Sequence, residues 1–250
     1  MFYSGLVSIS FRDHSPEKIA FAASRNHLNF VEWGSDIHAP CHDLQKLQSI
    51  VSLQKKYGIS CSSYGTYFRL GYSDISELPQ YIQAAKILGT RILRVWAGRK
   101  KASDCTKKER ENFIAECREA AAIAEEHDVI LCLECHRRSY TETKEGALEL
   151  METIQSPNFR MYWQPNPDIS LAENLEYISL LNPYITHIHV FHWVADQRLP
   201  LQAGTDQWEA YLSALSDNHH LLLEFMPDDR ILSLAAESET LNKLIDKYNP

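Results

Sequence analysis

TKKERENFIAECREAAAIAEEHDVILCLECH, residues 106 to 136, holds one helix and the strand that follows it. Phe113, Ile114, Cys117, Ala120, Ala121 and Ile123 recur at helical spacing, which predicts an amphipathic helix with one apolar face. VILCLE (Val129 to Glu134) is a short apolar run after a polar break, the pattern of a buried strand. Working outward, the same unit recurs. Apolar runs occur at GLVSISF (Gly5 to Phe11), FVEW (Phe30 to Trp33), ISCSSY (Ile59 to Tyr64) and ILRVWA (Ile92 to Ala97). They continue past VILCLE with RMYWQ (Arg160 to Gln164), ITHIHVF (Ile185 to Phe191) and HLLLEF (His220 to Phe225). The spacing, roughly thirty residues, is that of one βα unit. Between the runs lie helical patterns. SPEKIAFAASRN opens on Ser15 as N-cap with Pro16 in the first turn, and SELPQYIQAAKILG ends on Gly89 as C-cap. Strict alternation implies a parallel sheet, and eight units favour a closed barrel over an open sheet. No G-x-G-x-x-G follows the first strand, so a dinucleotide fold is not indicated. The fold expected is a single (β/α)₈ TIM barrel, with residues 1–250 as one domain.

Composition narrows the function classes. The 250 residues are 44% hydrophobic and 23% charged, an ordinary globular balance. A formal net charge of −8 argues against nucleic acid as a partner, since phosphate binding needs a positive field. No apolar run reaches membrane-spanning length, and MFYSGLVSISFRDH has no basic segment ahead of an apolar one. The expectation is therefore a cytoplasmic protein with no membrane partner. Exposed barrel helices often pair, so the sequence is compatible with a homo-oligomer. Cys132 and Cys135 form a C-x-x-C, but inside a strand, where residues three apart face opposite sides. No second C-x-x-C completes a zinc site, and a redox role is not favoured.

In such a barrel, chemistry belongs at the C-terminal ends of the strands. Strand two delivers Glu32 there, strand four Trp96, strand five Glu134 with His136 just beyond, and strand six Gln164. Strand seven delivers His189 with His192 beyond it, and strand eight delivers Glu224. Alternation turns Ile130, Cys132 and Glu134 to the lumen with Arg94, Trp96, His187, His189, Leu222 and Glu224, and leaves Leu93, Val95, Leu131 and Leu133 facing the helices. Two glutamates, a histidine and a carboxamide thus converge from strands five to eight. That donor set suits one divalent ion, Mn²⁺, Mg²⁺, Co²⁺ or Zn²⁺. Against this stands a plainer reading in which Glu32 and Arg94 brace the lumen as a buried pair and His187 is a hydrogen-bonded core residue. Trp33 and Trp163 are expected to pack against helices, and Trp96 to wall a pocket.

SISF, VEWG, ILRVWAG, LECH with SYTET, THIHVF and LLLEF together resemble the xylose isomerase-like barrel superfamily. That group contains the sugar-phosphate isomerases and epimerases and endonuclease IV, and the likeness extends over nearly the whole chain. The resemblance implies a divalent ion held by a strand-five Glu, a strand-six Asp, a strand-seven His and a strand-eight Glu. The matching positions are Glu134, Gln164, His189 and Glu224. Gln164 stands where Asp is usual, and Pro167 where a His is common, so the site carries less negative charge and should hold its metal more weakly. The resemblance further implies α-proton transfer on a sugar or keto-polyol, with Glu134 and Glu224 as the two catalytic bases. His136, Arg198, Trp96, Arg94 and His192 are the substrate-binding candidates on a small carbohydrate-like molecule. ILRVWAGRKKAS and LECH/SYTET also look like the dehydroshikimate dehydratase branch, which implies a lyase as the alternative to an isomerase or epimerase. A non-catalytic sugar-binding barrel is a further alternative. Endonuclease activity is disfavoured, because neither the extra His and Asp ligands of a three-metal cluster nor a basic face is present. The loops after strands three (GTYFRLGYSD), six and seven are expected to line the pocket.

Overall fold

The computed structural model describes residues 1–216 and 218–249. Its barrel strands are β1 (Phe2–Val7), β2 (Phe30–Gly34), β3 (Ser60–Leu70), β4 (Ile92–Ala97), β5 (Ile130–Glu134), β6 (Phe159–Trp163), β7 (Ile185–Val190) and β10 (His219–Leu223). They close in the order β1-β10-β7-β6-β5-β4-β3-β2, with every neighbouring pair parallel. Among the described residues, eight α-helices cover the outside: α1 (Pro16–Arg25), α2 (Leu44–Tyr57), α3 (Leu78–Leu88), α4 (Lys107–Glu126), α5 (Lys144–Ile154), α6 (Leu171–Leu181), α7 (Thr205–Ala214) and α8 (Leu234–Tyr248). The expected single (β/α)₈ TIM barrel is what forms. No helix among the described residues is long and apolar enough to cross a membrane.

Local chemistry explains where the elements begin and end. The Ser15 side chain caps α1, Thr106 and Glu109 form a reciprocal capping box on α4, and Gly89 ends α3 at φ +87°. Two cores separate as the alternation requires. Leu93, Val95, Leu131 and Leu133 join the large layer between barrel and helices, whereas Val7, Ile9, Cys132, Tyr162 and Leu222 fill the lumen. Trp163 meets Trp208 and Tyr211 of α7 edge-on in the outer layer. Cys132 lies in the inner cluster and Cys135 in the outer one, and all six cysteines are free.

Some strand bounds differ from those read in the sequence. The first strand is Phe2–Val7 rather than Gly5–Phe11, because Ser8–Phe11 turns into a 3₁₀ helix at the barrel mouth. Its serines tie neighbouring strands together. Ser8 Oγ accepts from Gly34 N at 2.9 Å, and Ser10 Oγ accepts from Phe225 N at 2.9 Å. The third strand runs on to Leu70, so GTYFRL belongs to the sheet and not to a loop. The last stops at Leu223, and Phe225 beyond it adopts a left-handed backbone (φ +58°). The sequence reading did not include a small antiparallel hairpin above the barrel, β8 (His192–Val194) with β9 (Gln197–Leu199).

Candidate functional site

The lumen is plugged below by its apolar cluster, and the polar layer sits directly on it. Register carries the side chains there: Arg94 pairs with Cys132, Glu134 with Tyr162, and Leu222 with His189. At the centre, Arg94 is sealed from solvent and bridges two carboxylates. Its Nε donates to Glu32 Oε1 at 2.9 Å and its Nη1 to Glu134 Oε2 at 2.5 Å. Gly65 of β3 makes room for this bridge. A Cβ there would stand 2.5 Å from Glu32 Oε1 and 3.0 Å from Arg94 Nη2.

The indole Nε1 of Trp96 donates to the same Glu134 Oε2, so that oxygen is fully engaged. Glu134 Oε1 instead faces Nδ1 of His189 at 3.7 Å. Glu224 Oε2 lies 3.4 Å and Gln164 Oε1 3.0 Å from the same Nδ1. One ligand atom each from Glu134, His189 and Glu224 can be chosen so that all lie within 4.8 Å of one another. Two donors about 2.1 Å from one cation stand roughly 3.0 to 3.4 Å apart, so this constellation fits a divalent ion with little movement. The other ring nitrogen, Nε2, is buried without a hydrogen bond and faces Glu32 Oε2 at 3.6 Å. A carboxylate behind a ligand histidine is the usual arrangement for fixing its tautomer.

Burial acts differently on these groups. For Glu32 and Glu134 it favours the neutral acid, but the Arg94 and His189 charges outweigh it and hold both below the usual carboxylate range. Burial pushes Glu224 up to about 7, only partly opposed by His189. Burial lowers His189, yet Glu224, Glu32 and Glu134 overcome that and raise it.

Above this layer opens a cavity of about 250 Å³, walled by Trp96, His136, Arg137, Gln164, Trp193 and Phe225 among others. That is the room of roughly eight waters, suited to a small, sugar-sized molecule. The His136 ring leans on Trp96 with centroids 5.2 Å apart. Its Nδ1 is 2.6 Å from the Arg137 carbonyl, to which it donates, so Nε2 is the ring nitrogen not used in that bond. The SYTET stretch supports the strand end. Thr141 Oγ1 donates to the Glu134 carbonyl at 2.6 Å, and Thr143 caps α5.

Of the residues singled out in the sequence, Glu134, Gln164, His189, Glu224, His136, Trp96 and Arg94 come together here. Arg94 spends two of its donors on glutamates rather than turning them to the cavity. Glu32 and Arg94 are the buried pair expected of them, and His187 lies deeper, its Nε2 3.2 Å from the Ser62 carbonyl. Arg198 and His192 do not line this cavity. Arg198 is paired with Asp229, and the ring of His192 packs against Gly204. The reason is periodicity: the alternation that turns His187 and His189 inward also turns Phe191 and Trp193 inward, and His192 outward. Trp193 was legible by that count. Arg137 was not, because a loop residue has no period.

A family model for the xylose isomerase-like TIM barrel matches residues 20–243. The chain belongs to that family. A 3-dehydroshikimate dehydratase from Bacillus anthracis is 26% identical over 201 residues, covering 74% of this chain and 69% of the relative. The crystal structure of a probable 3-dehydroshikimate dehydratase of Bacillus anthracis, involved in petrobactin synthesis, superposes with a TM-score of 0.83 at 21% identity, covering 97% of this chain and 99% of that one. D-Psicose 3-epimerase from Clostridium cellulolyticum with D-tagatose superposes with a TM-score of 0.73 at 12% identity, each chain covered to 98%. The barrel thus shares its fold with solved structures named as a dehydratase and as an epimerase.

Proposed function

We propose that the protein is a metal-assisted lyase of the 3-dehydroshikimate dehydratase type, which removes a proton beside a carbonyl and expels water from the adjoining carbons. The observation that carries this reading is the unequal freedom of the two glutamates. Glu134 has one oxygen held by Arg94 and Trp96 and the other turned to the metal locus, so it has no oxygen left for a proton. Glu224 Oε2 faces the metal locus as well, but its side chain accepts no hydrogen bond among the described residues. His136 Nε2, the ring nitrogen not bonded to the Arg137 carbonyl, is the second candidate base. A divalent ion held by Glu134, Gln164, His189 and Glu224 supplies positive charge that acidifies the proton beside the carbonyl.

In this reading His136 Nε2 takes the α-proton and, as the imidazolium, gives it to the departing hydroxyl, while Glu224 stays ionised beside the ion. The C–H and C–O bonds break, a C=C bond forms, and hydrogen and hydroxyl leave as water. Arg94 keeps Glu134 ionised throughout. Trp96 forms a flat wall for a ring-shaped substrate. The test is incubation of the Mn²⁺-loaded protein with 3-dehydroshikimate. Loss of water from that ring yields an aromatic acid, seen as a rise in near-ultraviolet absorbance. No absorbance change and no substrate loss would remove the lyase reading.

A second reading, the isomerase or epimerase with Glu134 and Glu224 as paired bases, is favoured by the fold likeness to the D-psicose 3-epimerase. It requires Glu134 to release one of the two donors on Oε2. Product formation from D-psicose or D-tagatose separates it from the first.

A further inference from the structure

Gln164 reaches the metal locus from the head of a loop that has little backbone freedom of its own. The chain there reads Gln164-Pro165-Asn166-Pro167. Each proline fixes its own φ and disfavours the helical conformation in the residue before it, so Gln164 and Asn166 are both restricted. Proline also lacks an N–H. The one amide donor between Gln164 and Asp168 is therefore that of Asn166, and a single side chain claims it. Asn174 Oδ1 accepts from Asn166 N at 2.9 Å, and Asn174 Nδ2 donates back to the Asn166 carbonyl at 3.0 Å.

Asn174 is a helix residue used as a loop anchor. It is the fourth residue of α6, whose start is fixed by the capping box of Ser170 and Glu173. Its Nδ2 also donates to the Ser170 carbonyl at 3.2 Å, so this buried side chain ties the loop to the first turn of the helix. Asparagine is a poor helix former, and the clamp accounts for its place there. Asn174 lines the reaction cavity together with Pro165, Asn166 and Pro167. The Gln164 side chain is held differently. Among the described residues its one hydrogen bond joins Oε1 to His189 Nδ1 at 3.0 Å.

That contrast matters because Gln164 is neutral. A carboxylate is drawn to a cation by charge, whereas a carboxamide is not, and ordering a long glutamine side chain costs rotamer entropy. The oxygen must already be near its place when the ion arrives. We infer that Asn174 is a positioning residue, which clamps Asn166 and so fixes the backbone from which Gln164 presents its oxygen to a divalent ion. The inference rests on the proposed metal site for its consequence, though not for the clamp.

The experiment is a double-mutant cycle on Mn²⁺ affinity, read by calorimetry at pH 8. Asn174→Ala should weaken Mn²⁺ binding by about 3- to 10-fold, the effect of losing one hydrogen bond at the loop. In a Gln164→Ala background the same change should alter affinity by less than about 2-fold, while thermal stability falls alike in both backgrounds. Pro165→Ala, which loosens the loop without touching Asn174, should repeat the pattern, and it carries the cycle if Asn174→Ala does not fold. Metal-free, ¹⁵N-labelled protein gives a second readout by NMR. The Gln164 side-chain amide signals, assigned by their loss in Gln164→Ala, should broaden or shift in Asn174→Ala while the backbone amides of β5 and β7 stay in place. Unchanged Mn²⁺ affinity in folded Asn174→Ala overturns the inference. So does equal weakening in both backgrounds, because the clamp then acts on the site without Gln164. If the parent protein takes up no Mn²⁺, the proposed metal-assisted function fails, and the Gln164 signals decide the positioning role alone: identical signals in parent and variant overturn it.

Discussion

Glu134 and Glu224 approach the same atom, Nδ1 of His189, at 3.7 and 3.4 Å, but from opposite electrostatic circumstances. Arg94 and Trp96 grip Glu134, and charge there overcomes burial. Glu224 has no comparable donor, so burial dominates and lifts it to about 7. A cation arriving at this point meets one ligand that is already ionised and one that must release a proton.

Metal affinity should therefore depend on pH. Below about pH 7 Glu224 holds its proton and the raised His189 does too, so binding must displace protons. Affinity for Mn²⁺ should rise from about pH 6 to pH 8, roughly tenfold per unit for each proton displaced at the steepest. Calorimetric titration in two buffers of different ionisation enthalpy should show about one or two protons released at the lower pH. A flat profile would mean that neither group ligates the ion.

Gln164 supplies a neutral oxygen 3.0 Å from His189 Nδ1. Gln164→Asp should tighten Mn²⁺ binding by on the order of 1–3 kcal/mol when the new carboxylate coordinates directly. Turnover need not follow, since a more neutralised ion attracts carbonyl electrons less. Equal affinities in the two proteins would take Gln164 out of the metal's coordination.

Arg94→Met tests the bridge. It keeps a long apolar stem but leaves Glu32 and Glu134 buried without their cation, which should cost about 3–5 kcal/mol of stability. Urea denaturation at neutral pH measures it. Adding Glu32→Gln to this variant should recover part of the loss. A variant as stable as the parent would show that the pair contributes little.

The two layers of the barrel were legible because alternation has a period. Every lumen residue named from the sequence between Arg94 and Glu224 faces as expected, because a strand has only two faces. Strand ends were harder to read. SISF looks like the continuation of a strand, yet Ser8 and Ser10 turn their hydroxyls to neighbouring backbone groups, a preference no periodicity records. The misplacement of Arg198 has another cause. A cation in a loop can be drawn to a carboxylate or to ring faces as readily as to a ligand, and Asp229 lies far away in the sequence. The unequal roles of Glu134 and Glu224 were invisible because they depend on Trp96 and Arg94 sharing a single oxygen.

The barrel's other end predicts acid sensitivity. His187 and His220 stack with centroids 4.5 Å apart, and each has a buried Nδ1 without a partner. Burial holds their pKa values down, to about 4 and about 3, below the ordinary 6.5. The unfolded chain therefore binds protons first, and their contribution to stability is full above about pH 6.5 and is lost as pH falls from there towards 4 and 3. His220→Phe should flatten this acid limb while changing stability little at pH 7.5. An unchanged slope of stability against pH between about 6.5 and 4 would exclude His220 as its source.

The choice between elimination and epimerisation comes down to which bases carry protons. Under the lyase reading, His136→Gln removes the base but no metal ligand, so Mn²⁺ affinity should stay unchanged while turnover of 3-dehydroshikimate falls by roughly 10² or more. Glu224→Gln should lower both, and its turnover must be read at saturating metal. The epimerase reading predicts otherwise. There Glu134 and Glu224 act on opposite faces of the substrate. In D₂O, either Gln variant should still place deuterium beside the carbonyl from its remaining base while forming little product. His136→Gln would then lose binding more than rate. Occupancy must be measured in each variant, because Glu134 is both ligand and candidate base. A His136→Gln protein with full metal and near-normal dehydration would sink the proposed proton path. Deuterium wash-in from metal-loaded Glu224→Gln, with His136→Gln unaffected, would transfer the assignment to the paired glutamates.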